Sequence, residues 1–316
     1  MCYNRGNGKV DEEMAQQETM TMMKFMERFD TEEKCREYLY KIRWLEGFVC
    51  PKCGAKDERP FQIKSRHKLQ CRHCTHQTSV TAGTIMDKSR TPLRKWFLAM
   101  YLMGQDKRGC SALKLQQELG IAYDTAWTIA HKIRHAMGKR DAQYMLSGVI
   151  ELDDAFFGGV HVGGKRGRGT DKAAVIVGVS LNEKGHPEFA HAQVCESVNG
   201  DRLCEFAKKH IAPGSVISCD GLRAYNKLES EGYRLEAEAF DPKNAPEHLK
   251  WLHILVSNAK TFILGTYHGL AAAHLQSYLD EYCFRFSRRA WHGQLFARTL
   301  SACATAAPFT RYALIG

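Results

Sequence analysis

Past residue 148 the apolar residues come in short runs of strand length: GVIELDD (148–154), AAVIVGVSL (173–181), EFAHAQVCES (188–197) and SVISCDG (215–221). Helical periodicity follows at 200–211, 249–264 and 271–289. Strands first and helices afterwards predict an α/β domain, a mixed sheet flanked by helices. Upstream the pattern changes. Residues 1–30 read as loosely ordered, ending in the Met-rich amphipathic stretch MTMMKFMERFD. TEEKCREYLYKI then opens with Thr31 as N-cap and acids in its first turn. Residues 91–137 are helical. There Ser111 caps a helix with Leu113, Leu115 and Leu119 on its apolar side, Gly120 ends it, and a second helix starts near Tyr123 and runs through Trp127, Ile129 and Ile133. The chain thus divides into a helical segment (1–47), a cysteine-rich module (48–80), a helix-turn-helix-like region (91–140), a sheet-and-helix domain (148–300) and a tail (301–316). The main boundary falls near 138–148.

Charge sharpens this outline. The 316 residues carry 45 Lys and Arg against 35 Asp and Glu, a net charge of +10. With 44% hydrophobic residues the chain is globular, and a globular protein this basic points to an acidic partner, nucleic acid first. A helix, a glycine turn and a helix form the helix-turn-helix pattern. In it Tyr123, Asp124, Thr125 and Thr128 are candidates to face bases, and His131, Lys132 and Arg134 to meet the DNA backbone. An ordinary helical hairpin is the alternative. The start, MCYNRGNGKVDEEM, has no apolar core of a secretory signal, and no run approaches the roughly 18 apolar residues of a membrane span. A cytoplasmic, nucleoid-associated protein without disulfides is expected.

The 12 cysteines then divide by spacing. CPKC (Cys50, Cys53) is followed after 17 residues by CRHC (Cys71, Cys74), the spacing of a structural zinc ribbon. Four thiolates fill a tetrahedral shell, which leaves His73 and His76 outside it. Lys52, Lys56, Lys64, Arg66, His67, Lys68, Arg72 and His73 make its surroundings basic. The scattered Cys35, Cys110, Cys204 and Cys283 read as small core residues.

Carboxylates on the strands are harder to place. Burying an unpaired one costs several kcal/mol, yet Glu151, Asp153 and Asp154 interrupt an apolar run. Alternation puts Val149, Glu151 and Asp153 on one face, and Ile150, Leu152 and Asp154 on the other. Asp220 closes a second apolar run, with Gly221 after it. If the two strands are neighbours, Asp153 and Asp220 meet, and paired carboxylates call for a cation such as Mg²⁺ or Mn²⁺, the ions of phosphoryl transfer. Asp before Gly is also ordinary turn chemistry. Between the two lies GGKRGRGTDK (163–172), whose Lys165, Arg166, Arg168 and Lys172 suit either a phosphate backbone or plain solvent.

Taken in order, GFVCPKCG, CRHC, WFLAMYLM, ELDDAFFGG, GRGTDKAAVIVGV, CDGLRAY, GTYHGL and HLQSYLDEYCFRFSRR resemble the bacterial insertion-sequence transposases of the DDE superfamily that carry an N-terminal zinc ribbon, over roughly residues 24–300. The resemblance implies a ribonuclease H-like catalytic domain with a five-stranded sheet. It implies Asp153 and Asp220 as the first two members of a metal-binding triad, with Mg²⁺ or Mn²⁺ as cofactor. It implies cleavage at the element's terminal inverted repeats and attack of the freed 3′-hydroxyl on target DNA, by an oligomer of the chain on double-stranded DNA. The sequence departs at the third acid. WLHILVSNAKTFILG (251–265) has none; His253 stands at the matching position, Lys260 lies seven residues on, and Asn258 is the rival. On a helix, Leu252, Leu255, Val256, Ala259, Phe262 and Ile263 form an apolar stripe, with His253 and Lys260 on one line opposite. That favours His253 as the third ligand. A catalytically inactive DNA-binding descendant and a general metal-dependent nuclease are the alternatives.

Overall fold

The computed structural model describes residues 19–158, 172–238, 248–268, 270–310 and 313. It resolves into two compact units. The first comprises residues 1–106, 112–137 and 291–316, the second 107–111 and 138–290.

The first unit begins with α1 (Met22–Arg28) and α2 (Glu32–Arg43). Thr21 and Thr31 cap them through their hydroxyls, accepting from Lys24 N and Lys34 N. The ribbon follows as short antiparallel pieces. These are β1 (Phe48–Val49) with β2 (Lys56–Asp57), then β3 (Phe61–Ile63), β4 (Lys68–Gln70) and β5 (Gln77–Ser79) in a three-stranded sheet. Its core is small: Phe48, Cys50, Leu69 and Cys71, with Tyr40, Trp44 and Val80 packed on it. Then come α3 (Leu93–Gln105), α4 (Ala112–Leu119) and α5 (Tyr123–Asp141), the last turn of α5 falling in the second unit. Gly120, at φ 57, makes the tight turn between α4 and α5 that was expected of it.

In the second unit, β6 (Val149–Phe157), β7 (Ala173–Leu181), β8 (Pro187–Cys195), β9 (Val216–Asp220) and β10 (Arg234–Glu238) form one sheet in the order β8-β7-β6-β9-β10. The pairs β6–β7 and β7–β8 are antiparallel, while β6–β9 and β9–β10 are parallel. α6 (Gly200–His210) covers one face, sharing a core with Ile150, Leu152, Ile176 and Ile217. α7 (Lys250–Thr266) and α8 (Leu275–Ser287) cover the other, against Ala155, Phe157, Val175, Val177 and Val179. The stripe expected on α7 is its buried face, residue for residue. A five-stranded sheet in this order, with the first three strands antiparallel and the last two parallel, is the ribonuclease H-like arrangement.

The chain then returns to the first unit as α9 (Leu295–Thr305), which packs on α3. Phe25, Phe29, Phe97, Tyr101 and Phe296 form an aromatic core there, centroids 4.7–6.3 Å apart. This corrects the expected end of the sheet domain at 300 and the tail from 301. The sheet unit stops at Ala290, and residues 301–304 are buried. The apolar face of α9 explains it: a helix with a buried stripe must pack somewhere, and here it packs with α1 to α3. Among the described residues no helix is long and apolar enough to cross a membrane.

Candidate active site

The register of the sheet brings the two aspartates together. Leu152 pairs with Cys219 across parallel β6 and β9, so the next residues, Asp153 and Asp220, lie side by side. Both are half-buried. Burial, with the neighbouring Asp154 and Asp220 carboxylates, pushes Asp153 up to about 6, against the pull of the Asp154 amide and the Tyr225 hydroxyl. Asp153 Oδ1 accepts from Asp154 N at 2.7 Å and from Tyr225 Oη at 3.4 Å. Asp220 Oδ1 accepts from Leu222 N at 3.3 Å, the turn bond expected of an Asp-Gly strand end. Two adjacent carboxylates, with Asp153 held up by burial and by the charge beside it, fit a hard divalent cation.

A cleft of about 270 Å³ opens at Asp153, lined also by Asp154, Lys172, His253 and Lys260 among others; Asp220 does not line it. Lys172 is the member of the basic glycine loop that falls within the described residues; Lys165, Arg166 and Arg168 lie outside them. Lys260 Nζ sits 5.6 Å from the Phe157 ring centroid, and burial together with nearby Lys172 holds its pKa below the usual lysine range. Burial and His248 likewise lower His253, which favours its neutral imidazole. Asn258 is exposed and does not line the cleft. Asp153, Asp220 and His253 do not converge within 4.8 Å of one another. Among the described residues the group that does so is Cys50, Cys53, Cys71 and Cys74.

That group is built from two matching knuckles. Gly54 N donates to Cys50 O and Thr75 N to Cys71 O, each closing a turn with φ positive at its last residue. The sulfurs of Cys50 and Cys74 are 3.6 Å apart, those of Cys53 and Cys71 3.7 Å. A tetrahedral site with Zn–S bonds of about 2.3 Å needs sulfurs about 3.8 Å apart, so the four fit the ion. Burial opposes the Cys50 thiolate, but the amides of Cys53 and Lys52 outweigh it and bring the group down to about 6. Cys74 is pushed up to about 12: the His76 amide favours its thiolate, and burial with the neighbouring thiols prevails against it.

Of the helix-turn-helix residues, the structure turns two inward. Arg134 is 1% exposed, within the packed helices of the first unit. Lys132 donates to Ile85 O at 3.3 Å. His131 is buried as well, because packing covers α5 on more than its apolar side. Thr128, part-exposed, donates to Asp124 O, and Thr125 is half-buried. Two residues of the sheet domain have partners that the sequence did not reveal. Tyr225, fully buried, reaches Asp153 from a single helical turn after β9. Glu151 shares the face of Asp153 and is bonded to α7. The signal for Glu151 was its place in the strand's alternation, two residues before Asp153.

Asp220 closes β9 as expected, but Asp153 lies in the middle of β6, which runs on to Phe157 because its antiparallel pairing with β7 continues past the point where β9 stops. A ribonuclease H-like sheet with an aspartate on each of its two central parallel strands defines a nucleic-acid-processing enzyme class. Two family models match this chain: an ISXO2-like transposase domain over residues 145–287 and a transposase zinc-ribbon domain over residues 30–77. An uncharacterized protein in transposable element ISH50 of Halobacterium salinarum is 24% identical over 223 residues, which cover 64% of this chain and 72% of that protein. A chain of the simian T-cell lymphotropic virus intasome in complex with PP2A regulatory subunit B56 gamma is similar at 15% identity and TM-score 0.29, over 54% of this chain and 63% of that one. A chain of a pre-cleavage Mos1 transpososome is similar at 13% identity and TM-score 0.27, over 67% and 79%. The chain belongs to the insertion-sequence transposases of the DDE superfamily that carry an N-terminal zinc ribbon.

Proposed function

We propose that this transposase binds the terminal inverted repeats of its element and carries out metal-dependent DNA cleavage and strand transfer, as an oligomer of the chain on double-stranded DNA. The observation that carries the proposal is the side-by-side placement of Asp153 and Asp220, with Asp153 lining a cleft that holds two lysines. Asp153 and Asp220 would hold a divalent Mg²⁺ or Mn²⁺ ion, which when bound offsets their charge and activates an attacking oxygen. Lys260 and Lys172 face the cleft and meet the charge of a scissile phosphate. His253 is the α7 residue at the mouth of the cleft and takes the third place. Cys50, Cys53, Cys71 and Cys74 hold a structural Zn²⁺, and the basic ribbon around them contacts phosphates.

The test is strand transfer with labelled end DNA. Asp153→Asn and Asp220→Asn should each abolish transfer while end-DNA binding stays within about twofold, since backbone contacts on the first unit hold the DNA. A variant that transfers at the wild-type rate overturns the assignment. A second reading rests on one observation, the lack of any acid on α7. If the wild type binds ends but never cleaves them, the chain is a DNA-binding descendant of a transposase.

A further inference from the structure

Glu151 is the acid of the β6 run that the reading above leaves unused. Its side chain is 7% exposed, on the sheet face that α7 covers. Its Oε2 accepts from Leu252 N at 2.6 Å, a contact spanning 101 residues of sequence. The amides of Leu252 and Trp251 favour its charge, although burial disfavours it and the net effect is upward. α7 has need of such a partner. Leu249 before it is left-handed, at φ 43, no flanking side chain caps the helix, and its first turn holds no acid. An unmet amide at a buried helix start is costly, and the positive end of the helix favours an anion.

The next residue after the bonded Leu252 is His253, and Lys260 follows two turns later on the same line. Asp153 lies two residues along β6 from Glu151, on the same face. We infer that Glu151 is a positioning residue for the strand-transfer centre: its bond pins the first turn of α7 to β6 and so sets His253 and Lys260 over the Asp153 carboxylate. The inference rests on the proposed function. It also answers why an acid is buried on this strand, since the helix start pairs with it. A helix free to slide or fray at its start would carry both side chains out of place, and a shift of about 1 Å at a reacting centre costs about 100-fold in rate.

The test uses the full chain and two readouts. Glu151→Ala removes the acceptor; Glu151→Gln keeps an oxygen acceptor and removes the charge. Hydrogen exchange in the metal-free protein reports the Leu252 and His253 amides, and strand transfer is measured per folded molecule, with end-DNA affinity alongside. Glu151→Ala should lose protection at Leu252 and His253, lose about 100-fold in transfer, and keep end-DNA affinity within about twofold. Glu151→Gln should restore both protection and at least a tenth of the rate. Should Glu151→Ala unfold the domain, Glu151→Gln alone still decides. Native protection with a near-native rate supports positioning. Native protection with a rate as low as that of Asp153→Asn overturns it, because the charge then acts directly. A wild-type rate in folded Glu151→Ala also overturns it. Failure of the proposed function looks different: the wild type itself would not transfer, while the exchange result would stand or fall independently.

Discussion

Asp280 carries a carboxyl that folding tends to keep protonated. Burial pushes it up to about 7, although Gln276 Nε2 donates to it at 2.8 Å. Its folded pKa lies above its unfolded value near 3.8, so the native state binds the extra proton. Stability from this group is therefore full below pH 4 and is lost as pH rises to about 7, with a slope up to about 1.4 kcal/mol per pH unit. His210, brought down to about 3 by burial and by His191, acts in the opposite sense over the acid part of that range. Denaturant titrations from pH 4 to 8 on wild type and Asp280→Asn isolate the carboxyl: the two curves should converge in acid and diverge in favour of the variant toward pH 8. Parallel curves would count against it. In the cleft, the same scale separates His253 from Asn258. His253→Ala should reduce strand transfer at least tenfold more than Asn258→Ala, and the wild type should prefer Mn²⁺ to Mg²⁺, since imidazole softens the donor set. A more damaging Asn258→Ala would hand the third position to Asn258. At this scale Asp153, Asp220 and the four cysteines were legible because chemistry at fixed spacing is local. Tyr225 and Glu151 were not, because an aromatic in a turn or an acid in a strand shows its partner only after distant segments pack.

Elements end where their caps allow, and α3 borrows its cap. Pro92 offers no side-chain acceptor, so both oxygens of Glu32, on α2, accept from Leu93 N at 2.9 Å and Arg94 N at 2.8 Å. Arg94 Nε adds a bond to Phe29 O at 2.9 Å. Glu32→Ala should cost about 1–2 kcal/mol in denaturant unfolding, and Glu32→Gln clearly less, since it keeps an acceptor. Equal losses would place the effect in charge rather than in capping. Most elements were readable from period alone: β6 to β9, α6 to α8 and the Thr31 cap lie within a few residues of their expected positions. The fifth strand was implied only by resemblance. RLEAE in β10 alternates, with Leu235 and Ala237 as its apolar positions, but the run is only five residues long and Ala237 is exposed, so the pattern is too weak to mark a strand; parallel pairing to β9 makes it one. The succession of α4, a left-handed Gly120 and α5 lies where the sequence places it. The inward turn of Lys132 and Arg134 was not legible there, since a cation on a helix says nothing of which neighbours surround it.

At the scale of the molecule the charge of +10 governs how the chain meets DNA. End-DNA affinity should fall steeply with salt: a protein making 6–10 phosphate contacts loses about 10³–10⁵ in affinity between 50 and 200 mM. Chelation of zinc, or Cys71→Ser, should unfold the ribbon and remove end-DNA binding, because its core of Phe48, Leu69 and two of the cysteines is too small to stand without the ion. The sheet of the second unit should keep its ellipticity. Metal analysis below one zinc per chain, or end binding that survives chelation, would contradict this.

Sequence by itself determined the grouping of the four cysteines, the apolar stripe of α7, the core faces of β6 to β9 and Asp220 as a strand end. Each follows from spacing, period or a turn, which a few neighbouring residues dictate. Tertiary structure alone decided three things. It made β6 and β9 parallel neighbours, which turns two separate aspartates into a pair. It bonded the start of α7 to Glu151 across 101 residues. And it drew Leu295–Thr305 into the helical core of the first unit. These are long-range pairings, chosen by the burial of apolar faces against one another, and no local pattern carries the identity of the face on the other side.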